Sequence, residues 1–102
     1  MRETTYLILT SHASGERHGY GIVQEVQAIS EGRVHLGTGS LYGALERLLG
    51  EGLSEATREE VVDGRTRRYY RLSGTGRNAL VDEVLRLEAN VTAARTRLAG
   101  GA

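Results

Sequence analysis

The chain has 102 residues, enough for one domain with a modest core and too few for two independent ones. It contains no cysteine, which excludes disulfides and thiolate metal sites, and its thirteen basic and thirteen acidic residues cancel. All basic residues are arginine, whose planar fork suits phosphates and guanine edges, so any affinity for nucleic acid depends on where they cluster. The first apolar run, residues 6–9, is too short for a signal peptide or a membrane span, and we expect a cytoplasmic protein without membrane partners.

Two helices are predicted in the first third of the chain. Residues 3–12 carry apolar side chains without a breaker and predict a first helix, and residues 14–17 read as a turn. From Gly19 onward, apolar residues at helical spacing predict a second helix that ends near Ser30. Residues 33–36 then form a short linker.

A third helix follows the small residues 37–40. Thr38 or Ser40 suits its N-cap, and Gly52 stands where a glycine commonly ends a helix. The residues predicted to be buried are Leu41, Ala44, Leu45, Leu48 and Leu49. Those on the outward face are Gly39, Tyr42, Gly43, Glu46 and Arg47.

A β-hairpin is predicted around Asp63-Gly64, because both residues tolerate positive φ and stand between two strand-like arms. The first arm, residues 54–63, carries four acidic residues, and the return arm, residues 65–71, carries four arginines and no acid. Cross-strand pairs of opposite charge would favour this register. Tyr69 and Tyr70 point to opposite faces, so we expect one of them in the core.

A long helix is predicted from Ser73, a suitable N-cap, to about Ala99. Apolar residues recur along it at steps of three and four, which is the spacing of a coiled-coil seam. They are Leu80, Val84, Leu87, Val91, Ala94 and Leu98. The seam predicts a homodimer, although it could also pack against the first helix of the same chain.

Three helices, a hairpin and a long helix predict a mainly α fold with a small β-hairpin, a winged helix-turn-helix plus a C-terminal dimerisation helix. We divide the chain into a DNA-binding domain, residues 1–72, and a dimerisation helix, residues 73–102. In this fold the third helix enters the DNA major groove and the hairpin reaches the adjacent backbone. Small residues allow close approach, and Tyr42 would reach the backbone or a thymine methyl. The predicted contacts on this helix are Thr38, Gly39, Ser40, Tyr42 and Arg47.

Three stretches together form a specific signature that covers most of the chain. They are HGYGIVQEV at residues 18–26, GTGSLYGALERLLGEGL at 37–53 and DGRTRRYYRLSGTGRNAL at 63–80. In this order the chain resembles the phenolic-acid-decarboxylase regulator (PadR) type of bacterial transcription factor. The resemblance implies a homodimeric repressor of a pseudo-palindromic operator, joined through its first and last helices and released by a small-molecule effector. It also implies DNA contacts by Tyr20, Ser40, Tyr42, Arg65, Arg67 and Arg68.

The chain departs from the family pattern at two points. Gly43 stands where the family usually has proline, which loosens the start of the third helix by up to about 1 kcal/mol relative to alanine. The chain is similar to the short branch of the family, but it contains no tryptophan, so drug binding between paired tryptophans cannot operate here. An effector pocket lined by Tyr6, Leu9 and Val91 is our hypothesis instead.

Other chemistry has little support in the sequence. The spacings of His12, His18 and His35 match no metal-ligand motif, and we expect no metal and no cofactor. Ser11-His12 lacks the framing of a catalytic nucleophile, so we expect no enzyme. Two alternatives stay open: a winged-helix protein-interaction module without DNA binding, and a ligand carrier.

Overall fold

The computed structural model describes residues 1–100 and contains four helices and three strands. They are α1 (Glu3–Ser11), β1 (Arg17–His18), α2 (Gly19–Ile29), α3 (Thr38–Gly50), β2 (Ser54–Val62), β3 (Arg65–Leu72) and α4 (Gly74–Leu98). The predicted order of helices, hairpin and long helix is confirmed. One local prediction is wrong: Arg17 was placed in a turn, whereas it begins the short strand β1.

The strands form one antiparallel sheet in the order β1-β3-β2. β1 pairs with β3 through Arg17 opposite Tyr70 and His18 opposite Tyr69. The turn between β2 and β3 has φ of 50° at Asp63 and 76° at Gly64, which matches the twist of the hairpin and confirms the prediction made from this dipeptide. We call β2, this turn and β3 the wing.

The core lies between the three N-terminal helices and the inner face of the sheet. Its buried apolar residues are Leu7, Ile8, Leu9, Ile22, Val26, Leu41, Leu45, Leu48, Tyr70 and Leu72. Tyr70 is 3% exposed and is therefore the core tyrosine, whereas Tyr69 is half-buried on the opposite face. The expectation that the two tyrosines separate in this way is confirmed.

The two ends of α3 differ in how their backbone groups are satisfied. Its N-cap is Gly37, with no side-chain cap, so the prediction of Thr38 or Ser40 in this role is wrong: both lie inside the helix. At the other end Gly52 has φ of 73°, and the N–H groups of Gly52 and Leu53 donate to the carbonyls of Leu49 and Leu48 at 3.1 and 2.9 Å. This double bond pattern is a Schellman motif, and it confirms Gly52 as the helix terminator.

The end of α3 and the start of α4 are joined at one backbone segment. The Ser73 N–H donates to the Leu53 carbonyl at 3.1 Å, and the Ser73 hydroxyl donates to the Gly52 carbonyl. The same hydroxyl accepts the Gly76 N–H at 2.9 Å, which confirms Ser73 as the N-cap of α4. A few polar contacts therefore fix the direction in which α4 leaves the body.

The first half of α4 packs on the body and the second half does not. Leu80, Val84 and Leu87 are partly buried, whereas residues 88–100 are exposed. A helix of 25 residues is about 37 Å long, a large part of the 60 Å longest dimension of the described chain. Within residues 1–100, no helix combines the length and apolar character that crossing a membrane requires.

Candidate nucleic-acid interface

The first turn of α3 is open to solvent. Thr38, Gly39 and Ser40 are exposed, and no side chain caps the turn. The first N–H groups of a helix have no partner within the helix and lie at the positive end of its dipole. This end of α3 can therefore donate backbone hydrogen bonds to an anion such as a phosphate.

Tyr42 lies one turn further along α3 and leans towards α2. Its side chain is 46% exposed, and its hydroxyl lies against Gly19, the first residue of α2. A β-carbon built on Gly19 would stand 2.8 Å from the Tyr42 hydroxyl oxygen. The tyrosine therefore closes the gap between the two helices and keeps one side of its ring in solvent.

An open cleft of about 560 Å³ lies between the start of α2 and the wing. Five of the residues predicted to contact DNA border it: Tyr20, Tyr42, Arg65, Arg67 and Arg68. His18, Gly19 and Asp63 also contribute to its walls. The structure thus brings together side chains that lie far apart in sequence around one shared, open cleft.

The four arginines of β3 differ in their charge partners. Arg68 lies 3.5 Å from Glu59 and Arg71 lies 3.0 Å from Glu55, both across the β2–β3 pairing, as the charge pattern predicted. Among residues 1–100, no ion pair involves Arg65 or Arg67. The positive charge on the cleft side of the wing is therefore concentrated at these two arginines.

A network around Arg58 engages two carboxylates, Glu16 before β1 and Glu60 of the wing. A bulge in β2 between Ala56 and Arg58 lets both Thr57 and Arg58 reach Glu16, at 2.7 and 2.6 Å. Arg58 also donates to Glu60 at 2.8 Å. Hydrogen bonds from Arg58 lower the pKa of both the Glu16 and Glu60 carboxyls, which keeps them ionised and engaged.

Tyr69 and His18 connect this network to α2. The Tyr69 hydroxyl donates to Glu60 at 2.8 Å, and the Arg58 guanidinium stacks 3.9 Å from the centre of the Tyr69 ring. The His18 ring meets Tyr69 edge-on at 5.5 Å, and its Nδ1 accepts the Gly21 N–H at 3.1 Å as the cap of α2. Partial burial, followed by the nearby Arg67, lowers the pKa of His18 and favours the neutral ring that can accept this bond.

The sequence analysis missed His18 and Arg58 as members of this arrangement. The HGY stretch drew attention to Tyr20 but not to its histidine, and Arg58 is the lone cation in an acidic arm. A histidine immediately before a predicted helix start was the available signal, since short polar side chains at that position often cap.

Two other predicted positions lie elsewhere. Arg47 donates to the Thr5 hydroxyl of α1 at 3.1 Å and does not border the cleft. The suggested effector pocket corresponds to a shallow groove of about 470 Å³ beside α4, bordered by Tyr6 and Val91 among others. Leu9 does not line this groove, because its side chain is fully buried in the core, and its assignment is wrong.

Comparison with known proteins identifies the family to which the chain belongs. The model of the transcriptional regulator PadR-like family matches residues 8–82. The chain belongs to the PadR-like family of transcriptional regulators. Transcriptional regulator Rv3488 of Mycobacterium tuberculosis is 40% identical to it over 81 residues, which cover 79% of this chain and 72% of that protein. The expectation of a transcriptional regulator of winged-helix fold, and not of an enzyme, is confirmed.

Solved structures of other bacterial proteins have the same fold as this PadR-like regulator. A Streptococcus mutans protein is 25% identical with a TM-score of 0.75, covering 94% of this chain and 86% of its own. Bacillus subtilis PadR, solved in complex with operator DNA, is 24% identical with a TM-score of 0.71, covering 81% of this chain and 47% of that one. At this identity the second comparison concerns the fold alone.

The residues that the structure describes offer no metal centre. Within residues 1–100, no group of three or more His, Asp or Glu side chains is arranged to hold a metal ion. His12 is buried instead as a structural residue, with its Nδ1 donating to the Ile8 carbonyl at 2.7 Å and its Nε2 2.9 Å from the Ser54 hydroxyl.

Proposed function

We propose that this PadR-like regulator binds double-stranded operator DNA, with α3 in the major groove and the wing against the flanking backbone. The observation that carries the proposal is the cleft, because Arg65 and Arg67, without carboxylate partners, face the same space as Tyr42 of α3. An α-helix fits the major groove, and arginines supply the phosphate contacts on which affinity depends. The operator complex of Bacillus subtilis PadR supports the same use of this fold.

The proposed contacts fall into three groups. The start of α3 donates to a phosphate through its free N–H groups and hydroxyls, and the tyrosines at the cleft contact backbone or a thymine methyl. The wing arginines bind phosphates or reach the adjacent minor groove. The full set is Tyr20, Thr38, Gly39, Ser40, Tyr42, Arg47, Arg65, Arg67 and Arg68. Arg47 would have to exchange its hydrogen bond to Thr5 for a phosphate.

The proposed assembly is a homodimer in which residues 73–102 pair and residues 1–72 bind DNA; the last two residues lie outside the described part of the chain. The exposed half of α4 and its apolar seam support this assembly. Two copies of α3 would then enter successive major grooves, about 34 to 36 Å apart, on a pseudo-palindromic operator.

The proposed regulation is repression that a small-molecule effector relieves. The groove beside Tyr6 and Val91 faces the proposed dimer seam and gives such a molecule a place to bind. An effector that prefers a different angle between the two α4 helices would change the spacing of the α3 helices and weaken binding. We place this activity in the cytoplasm.

The test uses the DNA upstream of the protein's own coding region. We expect binding that weakens steeply as salt rises, because each arginine–phosphate contact releases counterions. Arg67→Ala should lower the affinity roughly tenfold and reduce the salt slope by about one. Fluorescence anisotropy across a salt series measures both quantities. Arg71→Ala is the matched control, because Arg71 lies on the same strand but is paired with Glu55.

Three results would overturn this proposal. No binding, or binding without salt dependence, would leave a protein-interaction module that uses the winged fold for another purpose. Steep salt dependence with equal losses for Arg67→Ala and Arg71→Ala would mean that the cleft is not the contact surface. If the protein binds no DNA, and Arg67→Ala and Arg68→Ala change nothing but solubility, the ligand carrier is favoured.

A further inference from the structure

We infer that Tyr42 is a positioning residue: its hydroxyl rests on Gly19 and thereby holds the DNA-facing side of α3 at one orientation relative to α2. The inference rests on the proposed function, because its main readout is DNA affinity. The Tyr42 side chain then has two roles. One edge of its ring borders the cleft, and its hydroxyl end packs against the neighbouring helix.

The contact leaves room for glycine only. A β-carbon on Gly19 would stand 2.8 Å from the Tyr42 hydroxyl oxygen and 3.2 and 3.3 Å from two carbons of the ring. The first distance is shorter than any packed contact, so a methyl group must displace the end of the tyrosine. The displaced end can move towards the cleft, because the ring is 46% exposed and borders it.

Gly19 cannot retreat to relieve this contact. The residue before it, His18, pairs with Tyr69 in the sheet and packs its ring on that tyrosine at 5.5 Å. His18 also caps α2 by accepting the Gly21 N–H at 3.1 Å. The first turn of α2 is thus attached to the wing strand, and Tyr42 closes onto a turn that the sheet holds in place.

The arrangement couples the two DNA-facing elements. α3 meets the first turn of α2 through Tyr42, and the wing meets the same turn through Tyr69. One turn of helix therefore sets both the orientation of α3 and the distance from α3 to the wing arginines. A change of Tyr42 pose would alter the cleft without breaking the core.

The experiment is a double-mutant cycle on DNA affinity, with thermal unfolding measured in parallel. Gly19→Ala should lower operator affinity about tenfold or more while changing Tm little, because the atom to be displaced is the end of a surface side chain. Tyr42→Phe alone sets the baseline of the cycle, because it removes the hydroxyl that rests on Gly19 and keeps the ring. Adding Tyr42→Phe to Gly19→Ala should restore most of the affinity, since the closest atom is then gone.

Gly21→Ala is the matched control, because it lies in the same turn and a β-carbon there makes only ordinary contact, 3.5 Å from the His18 ring. It should bind DNA like wild type. A double variant that binds DNA no more tightly than Gly19→Ala would overturn the inference. Additive losses in the double variant, or unchanged affinity in Gly19→Ala, would overturn it as well. If the wild-type protein binds no DNA, the proposed function is wrong. That result differs from the results above, which concern the Tyr42 inference alone.

Discussion

Gly74 and Gly76 lie in the same first turn of α4 but have different surroundings. A β-carbon on Gly76 would stand 1.9 Å from the Leu53 carbonyl oxygen, whereas nothing lies within 4 Å of one on Gly74. Gly76→Ala should therefore lower the free energy of unfolding by about 3 kcal/mol or more, because a backbone atom would have to move. Gly74→Ala should leave it unchanged or raise it by up to about 1 kcal/mol. Urea denaturation measures both, and similar losses in the two variants would contradict the close approach.

His12 makes the stability of the protein depend on pH. Its side chain is 1% exposed, and burial lowers its pKa, because the charged form loses its hydration. The unfolded chain, in which histidine titrates at about 6.5, therefore binds a proton more readily than the folded chain. Stability contributed by His12 is fully present above that pH and is lost as the pH falls below it, until the folded form also protonates.

The measurement is the free energy of unfolding between about pH 7.5 and pH 5, for wild type and His12→Gln. We expect the variant to be less stable at neutral pH but to lose less stability on acidification. His18, whose pKa is also lowered, should retain part of the slope in both proteins. Parallel curves across the whole range would contradict a neutral, buried His12.

Glycines also illustrate which roles a sequence reveals. Gly52 was assigned correctly because the end of a helix is determined locally, and the residues next to Gly52 in the sequence indicate it. Gly19 and Gly76 were not, because the groups that exclude a β-carbon, Tyr42 and the Leu53 carbonyl, come from distant parts of the chain. Sequence spacing says nothing about such approaches, whereas packing decides them.

At the level of elements, helices with strong apolar periodicity were predicted to within about a residue of their observed ends, and β1 was not predicted at all. β1 has two residues and exists only through its pairing with β3, so no pattern of its own could indicate it. The N-cap of α3 was wrong for a related reason. Thr38 and Ser40 are suitable residues, but the chain enters the helix one position earlier, at Gly37.

The ion pairs of the wing were predicted from the sequence only in part. Four arginines on one arm and acids on the other predicted cross-strand pairing, and Arg68 with Glu59 and Arg71 with Glu55 confirm it. The sequence could not separate these from Arg67, which lies opposite Glu60 in the register, because Arg58 and Tyr69 already hold that carboxylate. The candidate site was therefore predictable in composition but not in its distribution of charge.

For the whole molecule, the seam of α4 predicts its oligomeric state. Val91 lies on the seam and Val81 does not, yet their exposed fractions are nearly equal, 49% and 51%. Val91→Asp should shift the protein from dimer to monomer, because a carboxylate would be buried without a partner in the paired helices. Val81→Asp should remain dimeric. Sedimentation velocity at several concentrations measures both.

Equal dissociation of the two valine variants would mean that the seam does not face the partner. A monomeric wild type would remove the dimer and, with it, the paired half-sites. Either result would leave the fold and the cleft of the single chain as described.

The junction at Leu53 and Ser73 has a mechanical meaning for the assembled protein. These bonds and the tight approach of Gly76 fasten the segment that ends α3 to the first turn of α4. In the proposed dimer each subunit then behaves as a stiff lever with its pivot among the paired helices. A tilt of a few degrees at that pivot becomes a displacement of ångströms at the far end, at the helix proposed to enter the major groove.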